Sequence, residues 1–445
     1  MVLLIIPFFI LYYSNCSTRK DLMATQICLF EDIYYSRLLP LVYFRPTFNL
    51  RCGILSLKEK VQFAYPKANV MLHCRSYMAD YIRLRNPDIA VNFIEATNCL
   101  FINGRAIVDE KFIKAIPLEG EQDVVYVNDD NVVAARVSGK KLKSLKSHLN
   151  GIFSISDFDG LQVQQVDVTL IQYSWELIKN NGNQLRADFN LLKKIHAKKT
   201  ISPKKFLGVH ILNKKNVIVG DGTVIKPGVV IDAENGPVYI GKNVQIMSFS
   251  TIIGPAYIGD GSIVKVGAKI YPDCSIGPVC KVGGEIEATI IHSYSNKQHD
   301  GFLGHSYLGA WVNCGAGTVT SDLKNNYSSV KVYVNGDPVD SKMQFVGVTI
   351  GDHSKTAINS TFNTGTVIGV SSNVFGTGFP PKYVPSFSWG AAGETFTTYN
   401  IDKAINVAGK VMIRRGIELS DPEEKLFRKI FDLTTDERRK RGMPL

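Results

Sequence analysis

Hydrophobic positions split the chain into two halves with different periods. From Ile240 an aliphatic residue returns every six positions: Ile240, Ile246, Ile252, Ile258, Val264, Ile270, Ile276 and Val282. The residue four places on is mostly small: Val244, Ser250, Ala256, Ser262, Ala268, Cys274 and Cys280. Glycine often follows the aliphatic, as at Gly241, Gly259, Gly277 and Gly283. Val219, Ile225 and Ile231 keep the period upstream of a turn-like AENGP, and it resumes at Ile350, Phe362, Ile368 and Val374. A helix would place apolar residues three and four apart, which this stretch does not. A six-residue period predicts a parallel β-helix, one aliphatic per strand pointing inward and the small residue turning the corner. No single coil closes a core, so stacking holds the element together. Cys274 and Cys280 then read as corner residues. Two stretches leave the period, Gly284–Phe302 and about 320–346, and departures from a rigid scaffold are where function concentrates.

The first half alternates short apolar runs with helical patterns. Ile27–Phe30, Ala90–Ile94, Leu100–Ile102 and Val124–Val127 predict buried strands, and Leu57–Phe63, Glu110–Ile116 and Trp175–Leu192 predict helices, the last weakened at Gly182. That alternation predicts a mostly parallel, three-layer α/β domain. After Ser386 the helical segments are Asp402–Arg415 and Pro422–Leu433, the second with Ser420 and Glu423 placed as a capping box. The expected divisions are 23–205 for the α/β domain, 206–390 for the β-helix and 391–445 for a helical tail. Val2–Tyr13 is apolar but shorter than the ~20 residues that span a bilayer. A secretory leader begins with positive charge, and nothing basic precedes Arg19. Residues 1–22 are therefore set apart as a doubtful extension, with initiation expected at Met23 and a signal or membrane-associated segment as the alternative.

Charge narrows the partners. Lys plus Arg is 51 against 40 Asp plus Glu, a net +11, which suits phosphate, nucleotide or nucleic acid. The basic clusters at Lys140–Lys146 and Lys193–Lys205 read as helix faces and linker, and no helix-turn-helix or aromatic–basic stacking pattern appears, so no nucleic acid is expected. The eight cysteines form no CxxC pair, which excludes a disulfide scaffold and a zinc module and fits a cytoplasmic setting.

The segment SNKQHDGFLGHSYLGAWVNCGAGTVTSDLKNNY (Ser295–Tyr327) resembles the acetyltransferase half of the GlmU family. SRLLPLVYFRPTFNLRCGILSLKEK (Ser36–Lys60) is similar to the divergent nucleotidyltransferase domain of bacterial GlmU-like proteins, often labelled putative glucose-1-phosphate thymidylyltransferases. YSWELIKNNGNQLRADF (Tyr173–Phe189) resembles the segment joining the two domains in related sugar-phosphate nucleotidyltransferases. The resemblance spans about residues 24–430. It implies a nucleotidyltransferase-like domain, then a left-handed β-helix, in a homotrimer of the UDP-N-acetylglucosamine pathway. It also implies N-acetylation of glucosamine-1-phosphate by acetyl-CoA, and transfer of a nucleotidyl group from an NTP with Mg²⁺. Two rivals stay open: a glucose-1-phosphate thymidylyl- or uridylyltransferase whose β-helix only trimerises, and a non-catalytic scaffold that binds sugar nucleotide.

Acetyl transfer to an amine needs a base near neutral pKa, and the resemblance makes His299 that base. Lys297 and its neighbour Gln298 are placed to reach the sugar phosphate, and Asn313 to hold the amine or hydroxyls. The tetrahedral oxyanion needs fixed N–H donors, for which Gly315, Ala316 and Gly317 are candidates on the acetyl-CoA side. His292 and His305 read as ordinary loop histidines. The family pattern is altered in places: Phe302 stands for a tyrosine, Asp322 for an asparagine and Glu287 for a lysine, with Lys324 or Lys331 as substitutes. In the first half the usual Gly-rich phosphate loop has become Glu31–Arg37, keeping Arg37 and Pro40. Arg37, Arg45, Arg51 and Lys60 are the candidate phosphate cations. The metal-binding Asn-Gly-Asp reads Asn103-Gly104-Arg105, leaving Asp32, Asp109, Asp129 or Glu176 as possible carboxylates and the metal ligands unassigned.

Overall fold

The structure is a computed structural model that describes residues 26–120, 122–195 and 206–444. The apolar stretch at 2–13 and the start at Met23 lie outside the described residues.

The first half holds one sheet of β1 (Gln26–Phe30), β2 (Asn69–Leu72), β3 (Asn98–Asn103), β4 (Val124–Asn128), β5 (Asn131–Ser138) and β6 (Gln162–Gln165), in the order β2-β1-β3-β5-β4-β6. Successive residues point to opposite faces, so Ile27, Leu29, Leu100 and Ile102 enter one core while Cys28, Phe30, Cys99 and Phe101 enter another. The sheet is mostly parallel, as the alternation predicts, with β5 alone reversed: it runs antiparallel to both β3 and β4. Its hairpin turns at Asp129, whose φ of 51° only a few residue types accept readily. Ala90–Ile94 is not a strand; Val91 makes a single bridge to Leu72 and Asn92 turns the chain away. The strand beside β1 is instead Asn69–Leu72, half of it solvent-facing and so weakly patterned.

Helices α1 (Leu57–Ala64), α2 (Ala79–Arg85), α3 (Glu110–Ala115) and α4 (Gly139–Ser147) surround this sheet. Ser56 and Glu59 close a capping box on α1, and Asp109 accepts from the Phe112 amide at the start of α3. Helix α5 (Ser174–Ile195) leads to the second half and lies along the β-helix. Gly182 allows that contact, because a Cβ there would meet the Asp273 carboxylate at 2.1 Å.

The second half is a left-handed parallel β-helix with three faces. The first face runs from His210–Leu212 to Phe302–Gly304, the second through nine strands from Val217–Val219 to Tyr383–Val384, and the third from Val224–Ile225 to Asn296–Lys297. The hexapeptide aliphatics Ile240 to Val282 are all buried, and Cys274 and Cys280 line the same interior, where burial pushes each thiol up to about 12. The stretch 284–302 is not an excursion. Its coils are shortened: the register partner moves 18 residues from Thr251 to Lys269, 16 from Lys269 to Glu285 and 17 from Glu285 to Phe302. The later stretch does leave the coil, as an antiparallel hairpin Lys331–Val334 with Asp337–Asp340. Val330, Val332 and Val346 at its base pack with Trp175 of α5.

The tail forms α6 (Ile401–Ile413), α7 (Asp421–Leu433) and α8 (Thr435–Lys440). Ser420 caps α7, but Glu423 turns to Arg85 of α2 rather than closing the box. Leu426, Phe427 and Ile430 of α7 join the core of the first half with Met78 and Ile82. The tail therefore ties the two halves together. Among the described residues no helix is long and apolar enough to cross a membrane.

Candidate functional site

At the carboxyl ends of β1 and β3, where an α/β sheet receives a nucleotide, the charges are already paired. Arg105 is fully buried and forks onto Asp32, Nε to Oδ1 at 2.9 Å and Nη2 to Oδ2 at 2.6 Å. Its Nη1 donates to the Ile171 carbonyl at 2.7 Å and to Gln172 at 3.1 Å. Asn103 donates to the same Asp32 carboxylate at 2.8 Å. A second fork joins Arg75 to Glu31, and Arg75 also holds the carbonyls of Val42 and Arg45. Both forks are buried and bidentate, the geometry that fixes a guanidinium on a carboxylate.

This arrangement does not fit Mg²⁺. The guanidinium of Arg105 occupies the carboxylate that would bind a cation. The other carboxylates lie elsewhere: Asp109 caps α3, Asp129 is exposed on the β4–β5 hairpin turn, and Glu176 accepts from the Gln172 amide at 2.6 Å. Among the described residues no group of three His, Cys, Asp or Glu is placed to hold a metal ion.

Of the four candidate phosphate cations, only Arg37 stays at this edge. It donates to Gln172 at 2.7 Å and lies over Tyr34, 4.2 Å from the ring centre. The other three face the seam between the halves. Arg45 forks onto Asp352 of the β-helix, both buried. Lys60 pairs with Asp188 of α5, also buried. Arg51 donates to the Ile54 carbonyl and lies over Tyr257. The seam continues with His292 against the Asn49 carbonyl at 3.0 Å, Ser275 against that of Gly53 at 2.8 Å, and the Arg51 amide on the Tyr307 hydroxyl at 3.0 Å. The cause is local. Without glycines, the 31–50 stretch folds as two short turns that bury Leu38, Leu41, Val42, Phe44 and Phe48, and Arg45 between them points to Asp352 of the β-helix.

On the β-helix, the corner from the third face to the first stacks three segments of interest: 283–284, 298–301 and 315–318. Gly301 presses against the Thr318 carbonyl and Gly284 against those of His299 and Gly301, each too close for a Cβ. The structure thus brings the His299 loop beside Gly315–Gly317. His299 is exposed, and its ring has no hydrogen-bond partner among the described residues. Gly315 donates its amide to Thr356 at 3.1 Å. The amides of Ala316 and Gly317 have no acceptor among the described residues. Asn313 lies on the third face, accepting from Asn296 at 3.1 Å. Lys297 does not join this surface. It points into the coil, buried, with Nζ donating to the carbonyls of His299 at 2.6 Å and Asp300 at 3.1 Å. Burial pushes its ammonium below the ordinary value. Lys324 lies at the far end of the first-face strand Val319–Thr320, bonded to the Ser329 carbonyl, and Lys331 is exposed on the hairpin.

At that far corner the sequence reading passed over a pair. His305 Nδ1 meets Asp322 Oδ2 at 2.8 Å, and the ring stacks on Phe345 at 5.0 Å. Asp322 closes directly over Gly304, where a Cβ would lie 2.3 Å from its Oδ2. The exchange of asparagine for aspartate at 322 was the signal in the sequence. Only the hairpin, which brings Phe345 back, completes the arrangement.

The fold defines the class: a nucleotidyltransferase-like α/β domain joined to a hexapeptide β-helix. Residues 27–197 match the family described as sugar nucleotidyl transferase, and residues 237–271 match bacterial transferase hexapeptide repeats. Among particular proteins the chain is GlmU-like. It is 30% identical over 194 residues to the bifunctional protein GlmU of Acaryochloris marina, covering 43% of this chain and 34% of that one. It is 29% identical over 293 residues to the bifunctional protein GlmU of Bartonella quintana, covering 61% and 58%. The chain thus spans between one third and three fifths of these curated relatives. A solved UDP-N-acetylglucosamine acyltransferase of Francisella novicida aligns at 17% identity and a TM-score of 0.28, over 51% of this chain and 76% of that one, too loosely to carry an argument.

Proposed function

We propose that the protein is a transferase of sugar-nucleotide biosynthesis whose chemistry resides on the β-helix: acetyl transfer from acetyl-CoA to the amine of an amino-sugar 1-phosphate such as glucosamine-1-phosphate. The observation that supports it is the corner where His299, exposed and unpaired, adjoins the amides of Ala316 and Gly317, which have no acceptor among the described residues. A free imidazole takes the proton lost when an amine attacks a thioester. Two neighbouring N–H groups are what the resulting oxyanion requires. Asn313, one coil from His299, holds the acceptor. Exposed apolar residues on the same corner, Phe249, Val266 and Ile358, support a homotrimer in which a second copy covers this edge. The setting we propose is cytoplasmic.

Nucleotidyl transfer by the first half is the weaker reading, because Arg105 holds the carboxylate that a metal would need. The same ion pair favours a first half that serves as a fixed, non-catalytic partner of the β-helix.

The test is release of free CoA thiol from acetyl-CoA and glucosamine-1-phosphate by the full chain, with His299→Ala alongside. Release that disappears in the variant supports the reading. Undiminished release in His299→Ala removes His299 from the reaction, and no release from the unaltered protein overturns acetyl transfer to this acceptor. Pyrophosphate release from UTP or dTTP with a sugar 1-phosphate would restore the nucleotidyl-transfer reading.

A further inference from the structure

The outward side of the third face carries a column of polar residues that neither the proposed base nor the oxyanion donors use. Lys281, Asn296, Asn313 and Lys355 are register partners on successive coils. Neighbours in such a ladder lie about 4.8 Å apart. Their inward alternates Val282, Lys297, Cys314 and Thr356 are buried, so the column faces out. Arg415, two residues beyond α6, reaches down onto it and donates Nη2 to the Asn296 side chain at 2.9 Å. Asn296 passes the polarity on by donating to Asn313. That leaves the Asn313 amide N–H₂ without an acceptor among the described residues.

The charges here converge without a counterion. The ammonium of Lys281 is pushed down first by desolvation and then by Arg415, Lys265 and Arg414, all cations. Among the described residues none of Lys265, Lys281, Lys355, Arg414 and Arg415 makes an ion pair with a carboxylate. Lys355 donates only to the His353 carbonyl, at 2.8 Å, and burial alone pushes its ammonium down to about 8. Placing Arg414 and Arg415 at the end of α6 offsets the helix dipole. That accounts for one of them, but not for Arg415 leaving the helix carbonyls for a side-chain amide on a cationic face. Cations held together with no anion in the fold create a local positive potential that an anion relieves.

We infer that this face is a binding site for a phosphate group, with Arg415 and Lys281 as its charged donors and Asn296 and Asn313 as its neutral ones. A guanidinium, an ammonium and amide N–H groups within one ladder's reach suit the several oxygens of a phosphate or diphosphate. Asn296 begins the segment that ends at His299, so a phosphate here would lie next to the proposed acyl-transfer corner. Two sources share this chemistry: the phosphates of a CoA thioester and the phosphate of a sugar 1-phosphate.

Binding is measured by calorimetry on the full chain, without turnover, so its outcome is separate from that of the acetylation assay. The probes are inorganic pyrophosphate, CoA against 3′-dephospho-CoA, and glucosamine-1-phosphate against glucosamine. At least one phosphorylated probe is expected to bind, more weakly as salt rises. Lys281→Gln and Arg415→Gln are each expected to weaken it about tenfold, the loss of one charge-assisted bond. Discrimination against dephospho-CoA would assign the site to the thioester carrier, and discrimination against glucosamine to the sugar phosphate. Lys281 is partly exposed, so its variant is expected to fold. The inference is overturned if no phosphorylated probe binds, or if binding in Lys281→Gln and Arg415→Gln matches that of the unaltered protein.

Discussion

Replacing Arg105 by methionine tests whether the edge of the first-half sheet is held by an ion pair instead of being ready for a metal. Arg105 is fully buried and Asp32 nearly so, with side-chain exposures of 0% and 7%. Methionine fills much of the same volume but removes two bonds to Asp32 and those to Ile171 and Gln172. Asp32 would keep only the Asn103 donor among these partners. Stranding one member of a buried pair costs about 3–5 kcal/mol. Spread over a domain of this size, that lowers the melting temperature by roughly 10 °C. The assay is urea unfolding of Arg105→Met followed by circular dichroism, beside the double variant Arg105→Met, Asp32→Leu. The double variant is expected to recover most of the loss, because removing both charges removes the stranded one. A single variant within about 1 kcal/mol of the unaltered protein would refute the reasoning, since a keystone pair cannot be deleted so cheaply. So would a rise in melting temperature on adding Mg²⁺ with UTP that vanishes in Asp32→Asn, because Asp32 would then be free to bind the metal.

Stability is expected to fall as pH drops from about 6.5 to 4. His73 is buried with its Nε2 against the Gly151 carbonyl and its Nδ1 unpartnered, and burial holds its folded pKa at about 4 while the unfolded chain titrates near 6.5. The unfolded state therefore takes the proton first, costing about 1.4 kcal/mol per pH unit inside that window; a His73→Phe variant with an unchanged pH slope would count against it. His292 and His353, also held down by burial, act in the same direction. Asp352→Ala strands the buried Arg45 and is expected to cost about 3–5 kcal/mol and to lower the unfolding of both halves together; two separate transitions, with only one moved, would show that the seam does not couple them. Lys297→Met leaves two carbonyls inside the coil without a donor and is expected to cost about 1–3 kcal/mol while phosphate affinity stays unchanged; unchanged stability with lost phosphate affinity would return Lys297 to the surface.

The β-helix was legible because its core repeats. Ile240 to Val282 fall in register in the sequence and all are buried in the fold. The shortened coils at 284–302 broke the count but not the stacking, so the sequence made them look like an excursion. The strands of the first half were legible where both faces are buried, as in Gln26–Phe30, and illegible where one side is wet, as in Asn69–Leu72 and the fully exposed Gln162–Gln165. Charged residues were the hardest to place. Sequence assigns Lys297 no direction, yet β-alternation turns it inward beside Val282 and Cys314. Arg45 and Lys60 read as phosphate ligands because their partners, Asp352 and Asp188, lie 307 and 128 residues away.

Those long-range pairs bear on what the first half does. A nucleotidyl-transfer site needs a phosphate loop with open amides and cations that reach solvent. Here Arg45 and Arg51 face the β-helix, where they meet Asp352 and Tyr257, Lys60 is held by Asp188 of α5, and Arg37 alone stays at the sheet edge. Once the loop packs as apolar turns, its Arg45 lies buried and requires a carboxylate, which the β-helix provides at Asp352. Arg105 completes the same logic at the sheet edge, giving Asp32 a cation that belongs to the chain. On the proposed reading, an aspartate at position 105 would not by itself free a metal site. The loop, the seam and the Arg75–Glu31 fork would have to open together, each against a buried charge pair.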